Sequence, residues 1–147
     1  MKSTTSWIGA ATLIMLIVFS RAVSAADAPM LIDESRQVSS NERIELEVMR
    51  GEVVIRTGTD NTFRVFGTLD ELAEGFNLHS ENGFTYFEVE MPRNVNNYGF
   101  RRSEESDLEI VVPAGSRVSF TGVNAQVDID GVVGGTQINT VNGDISA

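Results

Sequence analysis

A short motif recurs after 18 residues near the end of this 147-residue sequence and constrains its fold more than any other feature. The segment Val123–Val127 reads Val-Asn-Ala-Gln-Val, and the segment Val141–Ile145 reads Val-Asn-Gly-Asp-Ile. The apolar residues ahead of each copy keep the same step, because Phe120 falls on Ile138. Repeated pairs of short β-segments with polar or glycine corners are typical of stacked rungs. The stretch Leu108–Ala147 therefore predicts a β-solenoid or a sheet built by repetition.

The first 25 residues are typical of a removable secretion signal. Lys2 gives a basic start, the stretch 8–19 is apolar, and Val23-Ser24-Ala25 supplies small residues for cleavage before Ala26. The apolar stretch is shorter than the ~20 residues that a helix needs to cross a bilayer, and an uncleaved anchor is the alternative. We therefore predict a cleavable Sec-type signal peptide over residues 1–25. The mature chain is then periplasmic, displayed at the cell surface or secreted, without stable membrane insertion.

The charge balance is strongly acidic, with 11 basic residues, 21 acidic residues and a net charge of −10. Removal of the signal peptide takes away Lys2 and Arg21 but no acid, so the expected mature chain is more acidic still. Binding to nucleic acid or to anionic lipid requires basic groups that neutralise phosphates. We therefore expect no nucleic acid, and a protein or glycan partner in the envelope. No cysteine is present, so the chain has neither a disulfide nor a site for a lipid anchor.

Alternating apolar and polar residues predict β-strands through most of the mature chain. The apolar members are Ile44, Leu46, Val48, Val53, Ile55, Phe63, Val65, Phe87, Val89, Leu108, Ile110 and Val112. Asn82-Gly83 predicts a hairpin turn, because both residues tolerate positive φ. Residues 26–37 carry a proline and several charges without a period, and they are predicted to form an N-terminal tether. Residues 38–147 show no helical period and are predicted to be an all-β domain, with an N-terminal antiparallel region followed by β-solenoid-like stacked short strands.

Three stretches of the sequence resemble a known bacterial family. They read ERIELEVMRGEVVIRTGTDNTFRVFGTL, LEIVVPAGSRVSF and VNAQVDIDGVVGGTQINTVNGDI. Apolar strands, Asn-Gly-Asp-Val-type corners, a strand ending in Val-Pro-x-Gly and serial Val-Ser-Gly-Asp-Ile-type rungs are the pattern of the bacterial "putative adhesin" β-strand-repeat family, a domain of unknown function. The resemblance covers residues 37–147 and departs from the pattern at Arg50-Gly51-Glu52-Val53 and at Ala125-Gln126. It implies an exported β-solenoid-like domain without catalytic residues.

The corners of the repeat combine glycine with small polar residues. They are predicted to be Gly51, Asn124, Asn142, Gly143 and Asp144. Gly143 is expected to take a positive φ in a tight turn, and Asn142 is expected to bond its own backbone there. Ile145 should then point inward and stack on Val127, one rung below.

Catalytic and metal-binding chemistry has little support in the sequence. His79 is the only histidine, and no nucleophile elbow surrounds Ser80 or Ser119, so no catalytic triad is predicted. One histidine without cysteine does not predict a zinc or iron site. The segment Asp128–Gly131 begins like a calcium loop but lacks the later ligands, so its carboxylates are predicted to be solvated, with weak calcium binding as the alternative. No metal and no cofactor are predicted.

Pairs of glutamates leave an enzymatic function open. Glu45 with Glu47, and Glu88 with Glu90, lie two residues apart on predicted strands, which places their carboxylates about 7 Å apart. That separation is used in glycoside hydrolysis. A carbohydrate-active enzyme of the β-helix type is therefore an alternative function, although outward glutamates are also typical of any exposed strand.

The loop 94–102 is the predicted partner-binding site. It combines Tyr98, Phe100, Arg101 and Arg102, and aromatic and arginine side chains are enriched at binding hot spots. A mobile insertion whose arginines pair with nearby acids is the alternative.

These patterns together predict an exported, non-enzymatic cell-envelope protein whose solenoid scaffold serves surface interaction or adhesion. The sequence places no cap after Ile145, and an uncapped rung exposes unpaired backbone and an apolar face. We therefore expect either a longer solenoid truncated at Ala147, or a partner or second copy that covers the last rung. A self-assembling module that stacks end to end through this rung is a further alternative function.

Overall fold

The computed structural model describes residues 29–94 and 103–146. These residues form eleven β-strands and no helix, which confirms the predicted all-β class. The strands are β1 (Leu31–Gln37), β2 (Arg43–Glu47), β3 (Arg50–Gly58), β4 (Thr62–Thr68), β5 (Gly75–Glu81), β6 (Phe84–Glu90), β7 (Ser106–Pro113), β8 (Arg117–Gly122), β9 (Asn124–Asp130), β10 (Thr136–Thr140) and β11 (Ile145–Ser146). Within these ranges no helix could span a membrane. The signal peptide predicted over residues 1–25 lies outside the described residues.

The strands form two mixed sheets that are not closed. The six-stranded sheet has the order β1-β4-β7-β3-β9-β11, and the five-stranded sheet has the order β10-β8-β2-β6-β5. Strands β7, β3, β9 and β11 run parallel in the first sheet, as do β10, β8, β2 and β6 in the second. Antiparallel pairs join β1 to β4, β4 to β7 and β5 to β6. The antiparallel region predicted at the N-terminus is therefore divided, because β2 and β3 lie in the middle of the parallel part.

The 18-residue step of the sequence is the register of two parallel strand pairs. Phe120 on β8 pairs with Ile138 on β10, and Val127 on β9 pairs with Ile145 on β11. On their other sides, β8 pairs with β2 and β9 pairs with β3, although β2 and β3 carry no close copy of the motif. Segments with and without sequence repetition are therefore neighbours in the same parallel arrangement.

Both sheets contribute to one hydrophobic core. Its largest fully buried side chains are Phe63, Phe87 and Phe120. Around them pack Ile32, Ile44, Leu46, Val48, Val53, Ile55, Val65, Leu69, Val89, Leu108, Ile110, Val112, Val118, Ala125, Val127 and Ile129. Because side chains alternate across a strand, apolar residues two positions apart face this core together. The predicted pairing of Ile145 with Val127 is present, but Ile145 is 50% exposed because β11 is the outermost strand of its sheet.

The predicted N-terminal tether over residues 26–37 is wrong in its second part, because β1 occupies Leu31–Gln37. β1 pairs antiparallel with β4, and its Ile32 is buried. Every other residue of this edge strand is exposed or half-buried. A single inward side chain leaves no period in the sequence, which explains why the alternation did not reveal the strand.

The predicted hairpin turn is confirmed, and a second turn joins β7 to β8. Asn82 and Gly83 have φ values of 53° and 78°, and they close the hairpin between β5 and β6. The N–H of Ser116 donates to the carbonyl of Pro113 at 3.0 Å, which closes the turn between β7 and β8. The Asn-Gly pair alone was therefore enough to predict the hairpin turn.

Corner positions line up across the six-stranded sheet, and glycine is required there for two different reasons. Gly51 on β3 is in register with Ser106 on β7 and with Ala125 on β9. A Cβ at Gly51 would overlap the carbonyl oxygen of Ser106, and Gly51 also has a φ of 119°. Gly143 does not have a positive φ, so the predicted left-handed turn at this residue is wrong. The carbonyl oxygen of Ala125 lies so close to Gly143 that it excludes a side chain.

Candidate functional site

A buried ion pair joins the start of β3 to the turn after β4. Arg50 donates through Nε to Oδ2 of Asp70 at 2.5 Å and through Nη2 to Oδ1 at 2.9 Å. Both side chains are buried, and Nη2 of Arg50 also donates to Oγ of Ser103. Oε1 of the half-exposed Glu105 lies 3.7 Å from Nη1 of Arg50. The guanidinium of Arg50 therefore connects three segments of the chain.

Further hydrogen bonds fix the same junction. The N–H of Asp70 donates to Oγ of Ser106 at 3.0 Å. The N–H of Glu71 donates to the carbonyl of Glu104 at 3.0 Å, and the N–H of Glu104 donates to Oε2 of Glu71 at 2.9 Å. The chain from Glu104 to Ser106 is thus held against the turn that follows β4. Sequence reasoning missed this junction, because Asp70 lies in a polar stretch without a period.

The residues predicted to bind a partner, Tyr98, Phe100, Arg101 and Arg102, lie outside the described residues. The chain before them leaves β6, in the five-stranded sheet, and is described as far as Asn94. The chain after them passes the buried ion pair and enters β7, in the six-stranded sheet. The predicted binding loop therefore connects the two sheets, and the ion pair fixes the point at which it enters the second sheet.

Tyr86 lies next to several carboxylates on the outer face of the five-stranded sheet. Oη of Tyr86 donates to Oε2 of Glu88 at 3.0 Å. Burial raises the pKa of Tyr86 above its usual range, and the hydrogen bond to Glu88 and the charge of Glu47 raise this pKa further. In the sheet, Tyr86 lies between Glu45 on β2 and His79 on β5.

Two of the glutamates singled out in the sequence are also neighbours across strands. Glu47 on β2 pairs with Glu88 on β6. Side chains paired in this way on adjacent strands are ~5 Å apart, which resembles the separation of the two carboxylates in retaining glycoside hydrolysis. Glu47 is exposed and Glu88 is half-buried, so this part of the face is acidic and open to solvent.

A basic strip borders the acidic one. Arg43 on β2 and Arg117 on β8 are neighbours in register. The guanidinium of Arg43 lies 4.7 Å from the centre of the Phe84 ring, and its Nε lies 3.9 Å from Oε1 of Glu45. Arg43 and Arg117 line a shallow depression of about 330 Å³ that reaches Gln137 on β10. The outer face of this sheet therefore offers charges of both signs to a polar partner.

The histidine and the serines considered for catalysis do not come together. Nε2 of His79 lies 3.4 Å from Oε2 of Glu81 on the exposed face of β5. Ser80 points to the other side of the strand, where its Oγ lies 2.8 Å from Oγ1 of the buried Thr85. Ser119 is three strands away from His79 in the sheet order, which is about 14 Å. The described geometry therefore contains no Ser-His arrangement at these positions.

The predicted corner residues, Gly51, Asn124, Asn142, Gly143 and Asp144, all line one shallow depression of about 320 Å³. Asp128 and Asp130 are exposed on β9, and Asp144 is exposed at the corner before β11. Across residues 29–94 and 103–146 no group of three or more His, Asp or Glu side chains could hold a metal ion. Nδ2 of Asn142 donates to Oδ1 of Asn124 at 3.2 Å. The corner asparagines therefore bond to each other across strands, whereas a bond from Asn142 to its own backbone was predicted.

No family model matches the sequence, and no curated protein is similar to it. The two-sheet fold, however, has solved structural neighbours. The chain is similar in structure to a putative cell adhesion protein from Clostridium sporogenes. The alignment has a TM-score of 0.55 at 9% sequence identity, and it covers 78% of this chain and 59% of that protein. At this identity the likeness shows the fold alone.

Two further neighbours are putative adhesins. The protein from Bacteroides fragilis aligns with a TM-score of 0.47 at 16% identity, over 80% of this chain and 54% of that protein. The protein from Parabacteroides distasonis aligns with a TM-score of 0.41 at 9% identity, over 80% of this chain and 56% of that protein. The chain spans between half and three fifths of the lengths of these three proteins.

Proposed function

We propose that this chain is an exported, non-enzymatic protein of the bacterial cell envelope, in which a solenoid-like scaffold presents a binding loop to a protein or glycan partner. The observation that carries the proposal is the buried pair Arg50–Asp70, which fixes the base of the connection between β6 and β7. Binding residues commonly lie on loops that a rigid scaffold positions. A buried, hydrogen-bonded ion pair at the base of a connection serves such positioning.

Parallel pairing supports the solenoid-like part of the proposal. The chain passes from β8 to β9, then to β10 and β11, and it alternates between the two sheets. β10 pairs in parallel with β8, and β11 pairs in parallel with β9. This is the path expected for a chain that winds around a common core.

The sequence of the loop supports the choice of binding residues. Tyr98 and Phe100 offer apolar contact area with a low entropic cost, and Arg101 and Arg102 offer hydrogen bonds to carboxylates or to sugar hydroxyls. The basic side chains would attract an acidic partner to a chain that is otherwise strongly acidic. Export rests on the signal peptide predicted over residues 1–25, and the fold likeness to a putative cell adhesion protein is compatible with it.

A binding experiment tests the function. The purified mature chain is labelled and incubated with isolated cell envelopes and with purified envelope polysaccharide, and the retained fraction is measured. The variant carrying Tyr98→Ala and Phe100→Ala should lose retention, because the aromatic contacts are removed. Phe84→Ala, which removes a half-buried aromatic from the outer face of the five-stranded sheet, is the matched control and should keep it. If the variant with Tyr98→Ala and Phe100→Ala is retained as well as Phe84→Ala, the assignment of the loop is refuted.

A glycan-active enzyme is the second candidate, favoured by the cross-strand pair of Glu47 and Glu88. This function predicts release of reducing sugar from an envelope polysaccharide, and loss of that release in Glu47→Gln and in Glu88→Gln. Binding without any release by the wild-type chain would eliminate the enzyme and leave the interaction module.

A further inference from the structure

The two strands at one end of the sheets differ from all other described strands in their charge. β10 and β11 are the outermost strands of the five-stranded and six-stranded sheets at the same end. Among the eleven described strands, these two alone contain no ionisable side chain. The uncharged stretch extends over residues 131–143, in a chain with 21 acidic and 11 basic residues. These two edge strands therefore carry none of the charges that usually prevent edge strands from pairing.

The edge strands at the other end are protected in the usual way. β1 carries Asp33, Glu34 and Arg36 along its length, and β5 carries His79 and Glu81. Charged side chains on an edge strand oppose the addition of another strand. Only one end of the described sheets is thus suited to strand addition.

The sequence of β10 is nearly the same when read in either direction. It runs Thr136-Gln137-Ile138-Asn139-Thr140. If β10 pairs antiparallel with a second β10 about a two-fold axis through Ile138, threonine faces threonine, glutamine faces asparagine, and isoleucine faces isoleucine. Each of the two amides offers both a donor and an acceptor, and threonine pairs across strands are favourable. The strand is therefore complementary to itself.

Apolar side chains at this end remain uncovered. Val133 is 79% exposed, Val141 is 73% exposed and Ile145 is 50% exposed. Ile138 packs on the core from the inner face of β10 and is half-buried. An added strand in the same sheet would continue the core past Ile138, which is the usual consequence of strand addition at an open edge.

We propose that this end is a two-fold interface between two copies of the chain, formed by antiparallel pairing of β10 with β10 of the second copy. A symmetric pairing of this kind uses the same surface on both copies and closes after two. It therefore differs from end-to-end stacking, which would need a second, different pairing surface at the charged end. The interface does not involve the residues assigned to partner binding, so it stands or falls independently of the proposed function.

The first measurement is the mass of the purified mature chain by sedimentation equilibrium over a range of concentrations. The expected result is a monomer–dimer equilibrium without larger species. Both copies are acidic, so the dimer should become tighter as salt screens their repulsion. A monomer at every concentration would overturn the proposal and indicate that further chain or another partner covers the edge. A mass that keeps rising with concentration would overturn the two-fold closure.

Charge substitutions then test the register. Gln137 and Asn139 are exposed, so their replacement should leave the fold of each copy intact, as checked by circular dichroism. The variant with Gln137→Lys and Asn139→Lys should have a dimer dissociation constant roughly tenfold higher, because each cross-strand pair then holds two like charges. A copy with Gln137→Glu and Asn139→Glu should be weakened in the same way. Mixing the two variants should restore a mixed dimer, because opposite charges then face each other.

A matched control places the same charges at the other end of the same sheet. Asn77→Lys with His79→Lys alters exposed residues on the edge strand β5, and it should leave dimerisation unchanged. If the substitutions on β10 leave dimerisation unchanged, or if the mixed variants do not associate, the two-fold pairing of β10 is wrong.

Discussion

Arg50 and Asp70 share two hydrogen bonds in the interior of the protein, although 20 residues separate them in the sequence. Asp70→Asn would remove the buried carboxylate charge that compensates the guanidinium of Arg50, while Ser103 and the half-exposed Glu105 stay beside it. Removing one partner of a buried ion pair costs about 3–5 kcal/mol. Urea denaturation should therefore show a loss of unfolding free energy of that order, reduced in part by Glu105.

The control for Asp70 is an ion pair of the same geometry on the surface. Arg64 donates to both carboxylate oxygens of Asp33 at 2.8 and 2.9 Å, and both side chains are largely exposed. The hydrogen bond from Arg64 lowers the pKa of Asp33. Asp33→Asn should nevertheless change stability little, because solvent and salt screen exposed pairs. Similar losses in the two variants would contradict the special role of the buried pair.

Val127 and Ile145 occupy equivalent positions of the repeat, but their replacement by aspartate should lower the stability of the protein to different extents. Val127→Asp introduces a carboxylate at a fully buried site without a partner, which is among the most costly changes in a core. Ile145→Asp makes the same kind of change 18 residues later, where the side chain is 50% exposed. We expect Val127→Asp to prevent cooperative folding and Ile145→Asp to be tolerated. Thermal unfolding of Val127→Asp without loss of stability would refute the packing of β9 against the core.

The two crowded corner glycines should also differ when replaced by alanine. Gly51→Ala adds a methyl group against the carbonyl of Ser106 at a backbone φ that disfavours alanine, in a central strand. Gly143→Ala adds it against the carbonyl of Ala125, next to the two-residue strand β11. We expect Gly51→Ala to lower the melting temperature and Gly143→Ala mainly to detach β11. Hydrogen exchange that stays slow throughout β9 and β11 in Gly143→Ala would contradict the steric account.

Tyr86 should remain protonated at a pH where an ordinary tyrosine, with a pKa of about 10, ionises. Burial, the hydrogen bond to Glu88 and the charge of Glu47 raise its pKa in the folded protein. Because this pKa is raised, protonated Tyr86 stabilises the folded protein. The stabilisation is fully present below the unfolded pKa and is lost as the pH rises through the folded pKa. Ultraviolet titration should show a delayed tyrosine in the wild type and in Tyr98→Phe, but not in Tyr86→Phe.

Glu88→Gln is the diagnostic variant for Tyr86. It removes the carboxylate that accepts the hydrogen bond, so the pKa of Tyr86 should fall toward its usual value while the contribution of burial remains. Ionisation of Tyr86 near pH 10 in the folded wild type would show that the phenol is not held as described.

Local patterns predicted local features of this fold well. The step that relates Phe120 to Ile138 became the register of β8 and β10, and Asn82-Gly83 became a hairpin turn. These features depend on residues that are close in sequence or identical in pattern. The neighbours of β8 and β9 on the other side could not be predicted, because β2 and β3 share only an alternation that suits many registers.

The candidate site was less accessible to sequence reasoning. Nothing in the sequence links Arg50 to Asp70, because a buried ion pair between distant residues leaves no periodic trace. The sequence predicted a positive φ at Gly143, but the structure excludes a side chain there through the close carbonyl of Ala125, which is a tertiary contact that local sequence does not reveal. The partner-binding residues remain a prediction from residue type.

The position of β2 and β3 in the sheets has a consequence for the order in which the chain folds. β2 pairs with β6 and β8, and β3 pairs with β7 and β9, so the partners of both strands are synthesised after them. Long-range pairing of this kind makes folding slow and leaves strands exposed to aggregation. β2 and β3 therefore cannot complete their pairing until the chain has been made as far as β9, which leaves their edges unpaired during much of synthesis.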